Sequence, residues 1–447
     1  MIHKFRMYDT NIVVDVNSGA VHIFDDIAYE VLDCWEKYGE KSIKEKLSAK
    51  YSESQIDEAI NEVNALIEEG LLFSEDIYEE YLPLWDRESQ VKALCLHVAH
   101  DCNMRCRYCF ASTGDFGTGR KLMKAETGKK AIDFLIRESG TRRNLEIDFF
   151  GGEPLLNFNV VKEIIDYATK EGEKHNKNFR FTLTTNALLL NEERKKYINE
   201  HIGNIVLSID GRREVNDKMR TRVDGSGTYD AILPKIKDMA DSRNQYNYYV
   251  RGTFTRENSD FSKDVIHLAD LGFKQISVEP VVAADGSGYE IREEDVPEIC
   301  KEYEKLAYEY VKRKKENRGF NFFHFMIDLE QGPCVAKRLT GCGSGHEYLA
   351  VSPEGDLYPC HQFVGMEDFK IGNVNTGIEN REIQEMFKKS NVYTKKECRD
   401  CWAKFYCSGG CAANAYQFNK DINLPYKIGC ALERKRVECA LWIKANT

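Results

Sequence analysis

Between residues 93 and 279, short apolar runs of strand length alternate with amphipathic runs of helix length. Helical stretches such as residues 124–138, 159–171 and 259–271 separate the apolar runs. The six strand candidates are residues 93–98, 145–150, 180–185, 205–209, 249–254 and 275–279. Six strand–helix repeats predict an α/β fold with a parallel sheet and helices packed outside it. In such folds the functional site forms at the carboxyl ends of the strands.

Residues 1–80 have a different pattern, which predicts a small winged-helix-like module. The predicted elements are strands at residues 11–16 and 20–24, helices at 26–38, 42–50 and 52–70, and a short strand at 71–73. A winged helix that binds DNA is the alternative. The many acidic residues of this region disfavour it, because DNA is itself strongly negative.

The last third of the chain loses the strand–helix repeat and is rich in Cys, Gly and aromatic residues. We therefore expect three domains, at residues 1–80, 90–300 and 301–447, with an acidic, aromatic linker between the first two. A small loop-rich domain buries little apolar area, so metal clusters are expected to stabilise the third domain.

Three cysteines in one short loop, Cys102, Cys106 and Cys109, follow the first predicted strand with C-x3-C-x2-C spacing. Three thiolates on such a loop can hold three corners of a cubic iron–sulfur cluster and leave the fourth iron open to a small molecule. A structural zinc site is the alternative. Zinc sites favour C-x2-C pairs in twos, so this triplet fits zinc poorly.

Composition narrows the class of protein. The formal net charge is −10, which does not suggest a nucleic-acid binder. No apolar stretch is long enough to span a bilayer, and the first residues lack the apolar segment of a secretion signal.

The chain has 15 cysteines. Because disulfides are disfavoured in the cytoplasm, which is the expected location, clustered thiols indicate metal or redox chemistry.

Cysteines also cluster near the end of the chain. The ordered set is Cys342, Cys360, Cys398, Cys401, Cys407, Cys411 and Cys430. Its core reads C-x2-C-x5-C-x3-C, and a zinc knuckle is the alternative to an iron–sulfur site. Cys334 is an eighth candidate ligand. Four further cysteines lie in apolar patterns and are interpreted as packing residues: Cys34, Cys95, Cys300 and Cys439.

Polar and glycine residues stand where the predicted strands end. The second strand ends in Gly151, Gly152, Glu153 and Pro154, where glycines would let backbone approach a ligand closely. Later candidates are Asn186, Ser208, Asp210 and Arg220, with Thr184, Arg251 and Thr253 as weaker ones. Taken singly, each of these residues could equally be an ordinary turn or strand-end cap.

The cysteine triplet, with Tyr108 before its last member, together with the Gly-Gly-Glu-Pro segment resembles the radical S-adenosylmethionine (SAM) superfamily. The resemblance implies a partial six-stranded (β/α) TIM-like barrel and a 4Fe-4S cluster whose open iron binds SAM. It also implies SAM contacts: Tyr108 near the adenine, residues 151–154 at the amino group, and Arg220 at the carboxylate. By the same resemblance, Asn186, Ser208 and Asp210 lie near the methionine or ribose part of SAM.

The seven later cysteines resemble the SPASM domain, which binds auxiliary 4Fe-4S clusters, so three clusters are implied in all. By family pattern, one auxiliary cluster is held by Cys398, Cys401, Cys407 and Cys430. The other is held by Cys342, Cys360 and Cys411, with Cys334 as a possible fourth ligand. If Cys334 does not bind, an iron is left for a substrate thiolate.

Residues 1–80 resemble the peptide-recognition domain of enzymes that modify ribosomally made peptides, in which a leader peptide adds a strand to a sheet edge. The whole chain resembles the maturases of six-cysteine (SCIFF) peptides, which join a cysteine sulfur to a carbon. This implies a cysteine-rich precursor peptide and an electron donor such as flavodoxin or ferredoxin as partners, with no nucleic acid or membrane partner.

Alternative reactions remain open at this point. Related enzymes form carbon–carbon links or oxidise Cys or Ser in sulfatases, and the sulfatase enzymes carry an acidic base where this chain has His361. His361 is therefore a candidate base that could instead support the cluster loop. A non-catalytic peptide-binding or electron-transfer protein is disfavoured, because the SAM-binding set is intact.

Overall fold

The computed structural model describes residues 1–38, 42–85, 89–329 and 335–447. The strands in chain order are β1 (Ile2–Met7), β2 (Thr10–Asp15), β3 (Val21–Phe24), β4 (Ala93–His100), β5 (Met104–Cys106), β6 (Lys121–Leu122), β7 (Asn144–Gly151), β8 (Asn178–Thr185), β9 (Asn204–Ser208), β10 (Arg220–Arg222), β11 (Tyr248–Phe254), β12 (Gln275–Pro280), β13 (Asn321–Phe322), β14 (Tyr348–Val351), β15 (Asp356–Tyr358), β16 (Gly372–Asn373) and β17 (Gly377–Ile378). The helices are α1 (Asp26–Tyr38), α2 (Ile43–Leu47), α3 (Glu53–Glu68), α4 (Ala125–Glu138), α5 (Phe158–His175), α6 (Glu192–His201), α7 (Arg213–Met219), α8 (Tyr229–Ser242), α9 (Ser262–Asp270), α10 (Val296–Lys315), α11 (Val335–Thr340), α12 (Arg381–Lys389), α13 (Lys396–Arg399), α14 (Lys404–Cys407), α15 (Ala412–Asn419) and α16 (Lys427–Asn446). None of the helices in these ranges is long and apolar enough to cross a membrane. Cys334 lies outside the described residues.

The α/β fold with a parallel sheet is confirmed. All six predicted strands are present, as β4, β7, β8, β9, β11 and β12, and they are parallel neighbours in that order. Helices α4 to α9 connect or flank them, and their apolar faces contribute to one large core. The alternation of strand and helix patterns therefore predicted the order of the central sheet.

The sheet continues past the predicted boundary at residue 300. On one side β13 pairs in parallel with β12. On the other side β14 pairs in parallel with β4, and β15, β16 and β17 follow as antiparallel neighbours. Apolar packing also stabilises the last third, because Leu349, Val351 and Leu357 are fully buried in the main core.

The N-terminal region forms a separate three-stranded antiparallel sheet in the order β1-β2-β3, covered by α1, α2 and α3. The prediction of a short strand at residues 71–73 is wrong, because these residues form a bend after Gly70. The third strand is instead β1 at the start of the chain. Its alternating pattern buries Phe5 and Met7 and exposes Arg6.

Alternate residues of the central strands form a polar surface, which we call the polar face. Apolar residues of each strand pack against the helices, while the residues between them are half-buried or, like Arg251, exposed. The polar face carries Asp148, Thr182, Ser208, Arg251 and Glu279. Strand register places Asp148 beside Thr182 and Ser208 beside Arg251. A surface of this composition can bind a polar substrate at the centre of the sheet.

Leu349→Ala is expected to lower the free energy of unfolding by about 2–5 kcal/mol, because it leaves a cavity where β14 joins the central sheet. Ile23→Ala, on a side chain that is 60% exposed, should change it by less than about 0.5 kcal/mol. Anaerobic denaturant unfolding followed by circular dichroism measures both. If Leu349→Ala changed the free energy of unfolding as little as Ile23→Ala, the last third would not unfold together with the central sheet.

Candidate active site and cysteine clusters

The loop after β4 brings Cys102, Cys106 and Cys109 together at the carboxyl end of the sheet. Short strand β5 fixes the loop by pairing with β10, which places Cys106 opposite Arg220. Burial raises the pKa of Cys102 to about 12 and that of Cys106 to about 11. Burial also raises the pKa of Cys109. Three free thiols are thus held in a site that disfavours their bare anionic forms.

This donor set fits a 4Fe-4S cluster. Thiolates are the protein ligands of such clusters, and bound iron supplies the positive charge that would offset the cost of burying them. In the parts of the chain that the structure describes, no group of three or more His, Cys, Asp and Glu side chains is arranged to hold a metal ion. A cluster differs from an ion in this respect, because each thiolate binds a different iron atom.

Tyr108 links the cysteine loop to the strand ends. Its hydroxyl donates to Asp210, with Oδ1 at 2.7 Å, and accepts a hydrogen bond from Arg220 Nη1 at 2.9 Å. The backbone N–H of Thr253 also donates to Asp210 at 3.0 Å. Burial raises the pKa of Asp210 to about 6, although Arg220 and Tyr108 act against this shift. The network therefore ties the loop to β9, β10 and β11.

Arg220 has an unused donor in this buried site. The residue is 7% exposed, and its Nε has no hydrogen-bond partner among the described residues. Burial by itself lowers the pKa of Arg220, but Tyr108, Cys106 and Asp210 outweigh it and raise the pKa. A guanidinium with a free donor beside the cysteine loop fits a carboxylate ligand.

Gly151 and Gly152 are required for packing between two pieces of backbone. A Cβ on Gly151 would lie 2.2 Å from the carbonyl oxygen of Ala99, and one on Gly152 would lie 2.2 Å from that of Asp101. The N–H of Gly152 also donates to Ala99 O at 2.8 Å. These glycines let the end of β7 lie directly against the start of the cysteine loop.

The carboxylate of Glu153 is fully buried, and both of its oxygens accept hydrogen bonds from the protein. Oε1 accepts from Leu155 N at 3.0 Å and from Thr185 Oγ1 at 2.8 Å. Oε2 accepts from Asn186 N at 2.8 Å. Pro154 follows as the first residue of a short 3-10 helix. Glu153 thus joins the end of β7 to the end of β8.

Asn186 reaches the cysteine loop. Its Nδ2 lies 3.7 Å from Cys102 Sγ and donates to Asn103 Oδ1 at 2.8 Å, while its Oδ1 accepts from Leu188 N at 3.0 Å. Ser208, the last residue of β9, is half-buried on the polar face beside Arg251.

Sequence reasoning named Arg251 on the polar face as a weaker candidate but missed its partner Glu279. Arg251 Nη2 donates to Glu279 Oε2 at 2.7 Å, and Arg251 lowers the pKa of Glu279 to about 2 against the opposing effect of burial. Glu279 lies near the end of β12. Glu279 could have been predicted from the sequence, because polar residues at the carboxyl ends of strands commonly form the site of such a fold.

His361 lies between the C-terminal cysteines and the cysteine loop. Its ring centroid is 5.8 Å from that of Phe110 and 5.2 Å from that of Phe150. Its Nδ1 is 3.1 Å from the hydroxyl of Tyr348. Burial lowers the pKa of His361 to about 4, so the ring is neutral at pH 7. A neutral imidazole at this position can donate or accept a hydrogen bond, but its lowered pKa makes it a weak base.

The C-terminal cysteines fall into two neighbourhoods. Burial raises the pKa of Cys407 to about 12, and among the cysteines Cys430, Cys398 and Cys401 raise it further. The other neighbourhood contains Cys360, Cys411 and Cys342. Burial raises the pKa of Cys360 above its usual value, with Cys411 and Cys342 adding to the effect. The structure thus brings together four cysteines in one place and three in another.

The four other cysteines belong to neither C-terminal neighbourhood, although Cys95 lies close enough to Cys360 for that thiol to raise its pKa. Cys95 and Cys439 are buried, and Cys34 and Cys300 are half-buried. Burial is the largest cause of a raised thiol pKa in all four.

Two family profiles match this chain. Residues 92–232, which include the cysteine loop, match a 4Fe-4S single cluster domain. Residues 342–402 match the SPASM iron–sulfur cluster-binding domain. These matches place a 4Fe-4S cluster domain on the central sheet and a SPASM domain after it, and together with the relatives described next they support radical SAM catalysis.

Relatives point to a narrower class. The chain is 24% identical over 351 residues to the cysteine-type anaerobic sulfatase-maturating enzyme of Clostridium novyi (strain NT), covering 73% of this chain and 88% of that protein. It is 25% identical over 340 residues to the subtilosin biosynthesis protein AlbA of Bacillus subtilis (strain 168), covering 72% and 67% respectively. These matches support a place in the radical SAM/SPASM peptide maturase family.

Solved structures share the fold. The anSMEcpe protein with bound AdoMet superposes with a TM-score of 0.65 at 19% identity, covering 80% of this chain and 98% of that chain. SuiB of Streptococcus suis, bound to S-adenosylmethionine, superposes with a TM-score of 0.53 at 15% identity, covering 96% and 98%. The second match extends over almost the whole chain.

Gly152→Ala is expected to remove the iron of one cluster, because the added Cβ displaces the backbone that carries Cys102. Iron and sulfide analysis after anaerobic reconstitution measures the loss. Gly319→Ala is the matched control, since its Cβ would meet only ordinary contacts, at 3.6 Å or more. Full iron content in Gly152→Ala would contradict the close packing described here.

Proposed function

We propose that this enzyme installs a thioether crosslink between a cysteine sulfur and a carbon atom in a ribosomally synthesised precursor peptide. The observation that carries the proposal is the position of His361, which follows Cys360 of the three-cysteine neighbourhood and packs against Phe110 and Phe150 beside the cysteine loop. The proposal includes three 4Fe-4S clusters and SAM as cofactors.

The first cluster would be held by Cys102, Cys106 and Cys109. SAM would lie beside it, with its carboxylate on the free Nε of Arg220 and its amino group at the backbone of residues 151–154. When bound, the reduced cluster and SAM together supply a 5′-deoxyadenosyl radical that removes a hydrogen atom from a substrate carbon.

The protein holds this site in place through hydrogen bonds that do not use the ligand. Tyr108 and Asp210 orient the guanidinium of Arg220, and Glu153 fixes Asn186 beside Cys102. Because these side chains are already held by hydrogen bonds, the site is pre-organised. SAM would therefore bind with little further loss of side-chain conformational freedom. We assign Ser208, on the polar face, to the methionine or ribose end of SAM.

The residue after Cys360 favours a thioether over sulfatase-type oxidation. The sulfatase enzymes that the chain resembles have an acidic base at this position, and here it is His361. The pKa of His361 is lowered to about 4 by burial, so the ring is neutral but a weak base at pH 7. It therefore fits a role in supporting the loop of Cys360 better than a role as the base that takes a thiol proton. The similarity to the Clostridium novyi enzyme keeps oxidation of Cys or Ser as the second candidate.

We propose that residues 1–80 bind the leader of the precursor peptide. The β1 side of the small sheet faces the C-terminal helix, since the Tyr8 and Trp442 rings are 5.1 Å apart. At the other edge β3 pairs only with β2 among the described residues, and its Ile23 is 60% exposed. An extended peptide could add to β3 through main-chain hydrogen bonds.

The two C-terminal cysteine neighbourhoods would each hold an auxiliary cluster that takes up the surplus electron. A flavodoxin or ferredoxin would supply electrons to the first cluster. The expected location of the enzyme is the cytoplasm. The net change in the peptide is the loss of two hydrogens. One leaves as a hydrogen atom from carbon, and the other leaves as the thiol proton together with one electron to the clusters.

Arg220→Met is expected to weaken SAM binding by about 10- to 100-fold, because it removes a charged hydrogen-bond donor to the SAM carboxylate. Titrating SAM against the electron paramagnetic resonance (EPR) signal of the reduced protein measures the affinity. Arg213→Met, which removes an exposed arginine seven residues earlier, should leave it unchanged. Unchanged SAM affinity in an iron-replete Arg220→Met protein would sink this assignment.

Co-expression with a cysteine-rich peptide from a neighbouring reading frame tests the reaction itself. We expect the peptide mass to fall by two hydrogens per crosslink and one thiol per crosslink to resist alkylation. A two-hydrogen loss with all thiols still alkylated would indicate a carbon–carbon link or oxidation of Ser, which a carbonyl-reactive hydrazide distinguishes, and loss of sulfur would indicate oxidation of Cys. The matched control carries Ala in place of Cys102, Cys106 and Cys109 and should return the peptide unchanged.

A further inference from the structure

Lys395 places an ammonium group among the C-terminal cysteines. The residue is 4% exposed, and its Nζ donates to the carbonyl of Gly409 at 2.8 Å. Gly409 lies in the short segment between Cys407 and Cys411. Lys395 also immediately precedes α13, where its carbonyl accepts from the N–H of Cys398 at 2.9 Å. The ammonium therefore sits where the chain delivers cysteines to both C-terminal neighbourhoods.

This buried cation has no carboxylate partner among the ion pairs of the described ranges. A second buried lysine nearby, Lys404, shows the usual solution, since its Nζ lies 2.7 Å from Asp76 Oδ2. Burying an ammonium without a negative partner is strongly unfavourable. A compensating negative charge must therefore come from something other than Asp or Glu.

The groups that supply this charge are the cysteines. Burial lowers the pKa of Lys395, and Cys398, Cys407, Cys411 and Cys430 act in the opposite direction. Three of these belong to the four-cysteine neighbourhood, while Cys411 belongs to the three-cysteine neighbourhood. The ammonium thus lies within electrostatic reach of both.

We infer that Lys395 is the shared counter-charge of the two C-terminal clusters and makes both easier to reduce. The inference rests on the proposed function, which places a cluster at each neighbourhood. A cluster with thiolate ligands becomes more negative by one charge when it takes up one electron. A fixed positive charge in a buried site stabilises that reduced form and so raises the reduction potential.

The test uses the full chain with Ala in place of Cys102, Cys106 and Cys109, so that the remaining iron belongs to the C-terminal sites. Lys395→Met removes the charge and keeps an unbranched side chain that is one atom shorter. Lys396→Met is the matched control, because Lys396 is the exposed neighbour in sequence. Anaerobic redox titration monitored by EPR measures the potentials.

We expect Lys395→Met to disfavour reduction of at least one cluster about tenfold, which is about 59 mV for one electron. Lys396→Met should leave both potentials unchanged. Lys395→Arg, which keeps the charge, should restore the parent values. Loss of C-terminal iron in Lys395→Met that Lys395→Arg prevents would equally support the inference.

Three results would overturn it. Unchanged potentials in an iron-replete Lys395→Met protein would show that the charge does not act on the clusters. Loss of iron in both Lys395→Met and Lys395→Arg would show a purely structural role. A parent protein without C-terminal iron would overturn the cluster assignment of the proposed function and this inference with it, so the two failures are distinguishable.

Discussion

The burial of ionisable groups at the carboxyl end of the sheet is the constraint on which this structure depends. Thiols and an arginine are enclosed where water cannot stabilise their charges. Such a site is costly in an empty protein and becomes favourable when iron and an anionic ligand supply the missing charges. The hydrogen bonds of Tyr108 and Glu153 matter because they hold this unfavourable arrangement in one geometry.

Continuity of the sheet explains how the C-terminal cysteines reach the same place. Because β14 pairs with β4, the turn that carries Cys360 and His361 lies next to the strand that leads into the cysteine loop. The SPASM region therefore acts as an extension of the catalytic sheet.

The central sheet was predictable because each of its strands is a compact apolar run between helical patterns. The short strand β1 was missed, and residues 71–73 were taken for a strand, because a few alternating residues cannot decide between a strand and a bend. The sequence also does not show which edge of the N-terminal sheet is open. That depends on tertiary packing, such as the contact between the Tyr8 and Trp442 rings on the β1 side. The cysteines were recognisable from spacing, and the structure brings them together as three groups. The packing role of Gly152 could not be predicted from the sequence, because this glycine contacts backbone that is distant along the chain.

The sequence alone determines the local chemistry: three cysteines on one loop, seven more near the end, and a histidine where related enzymes have an acid. It does not determine which residues distant along the chain contact each other. The hydrogen bonds of Glu153 to Thr185 and Asn186, the ion pair of Arg251 and Glu279, and the isolation of Lys395 from carboxylates all arise from the folded chain. The physical reason is that a side chain's charge and ligand preference belong to its residue type, whereas its desolvation and its partners are set by elements that only folding brings into contact.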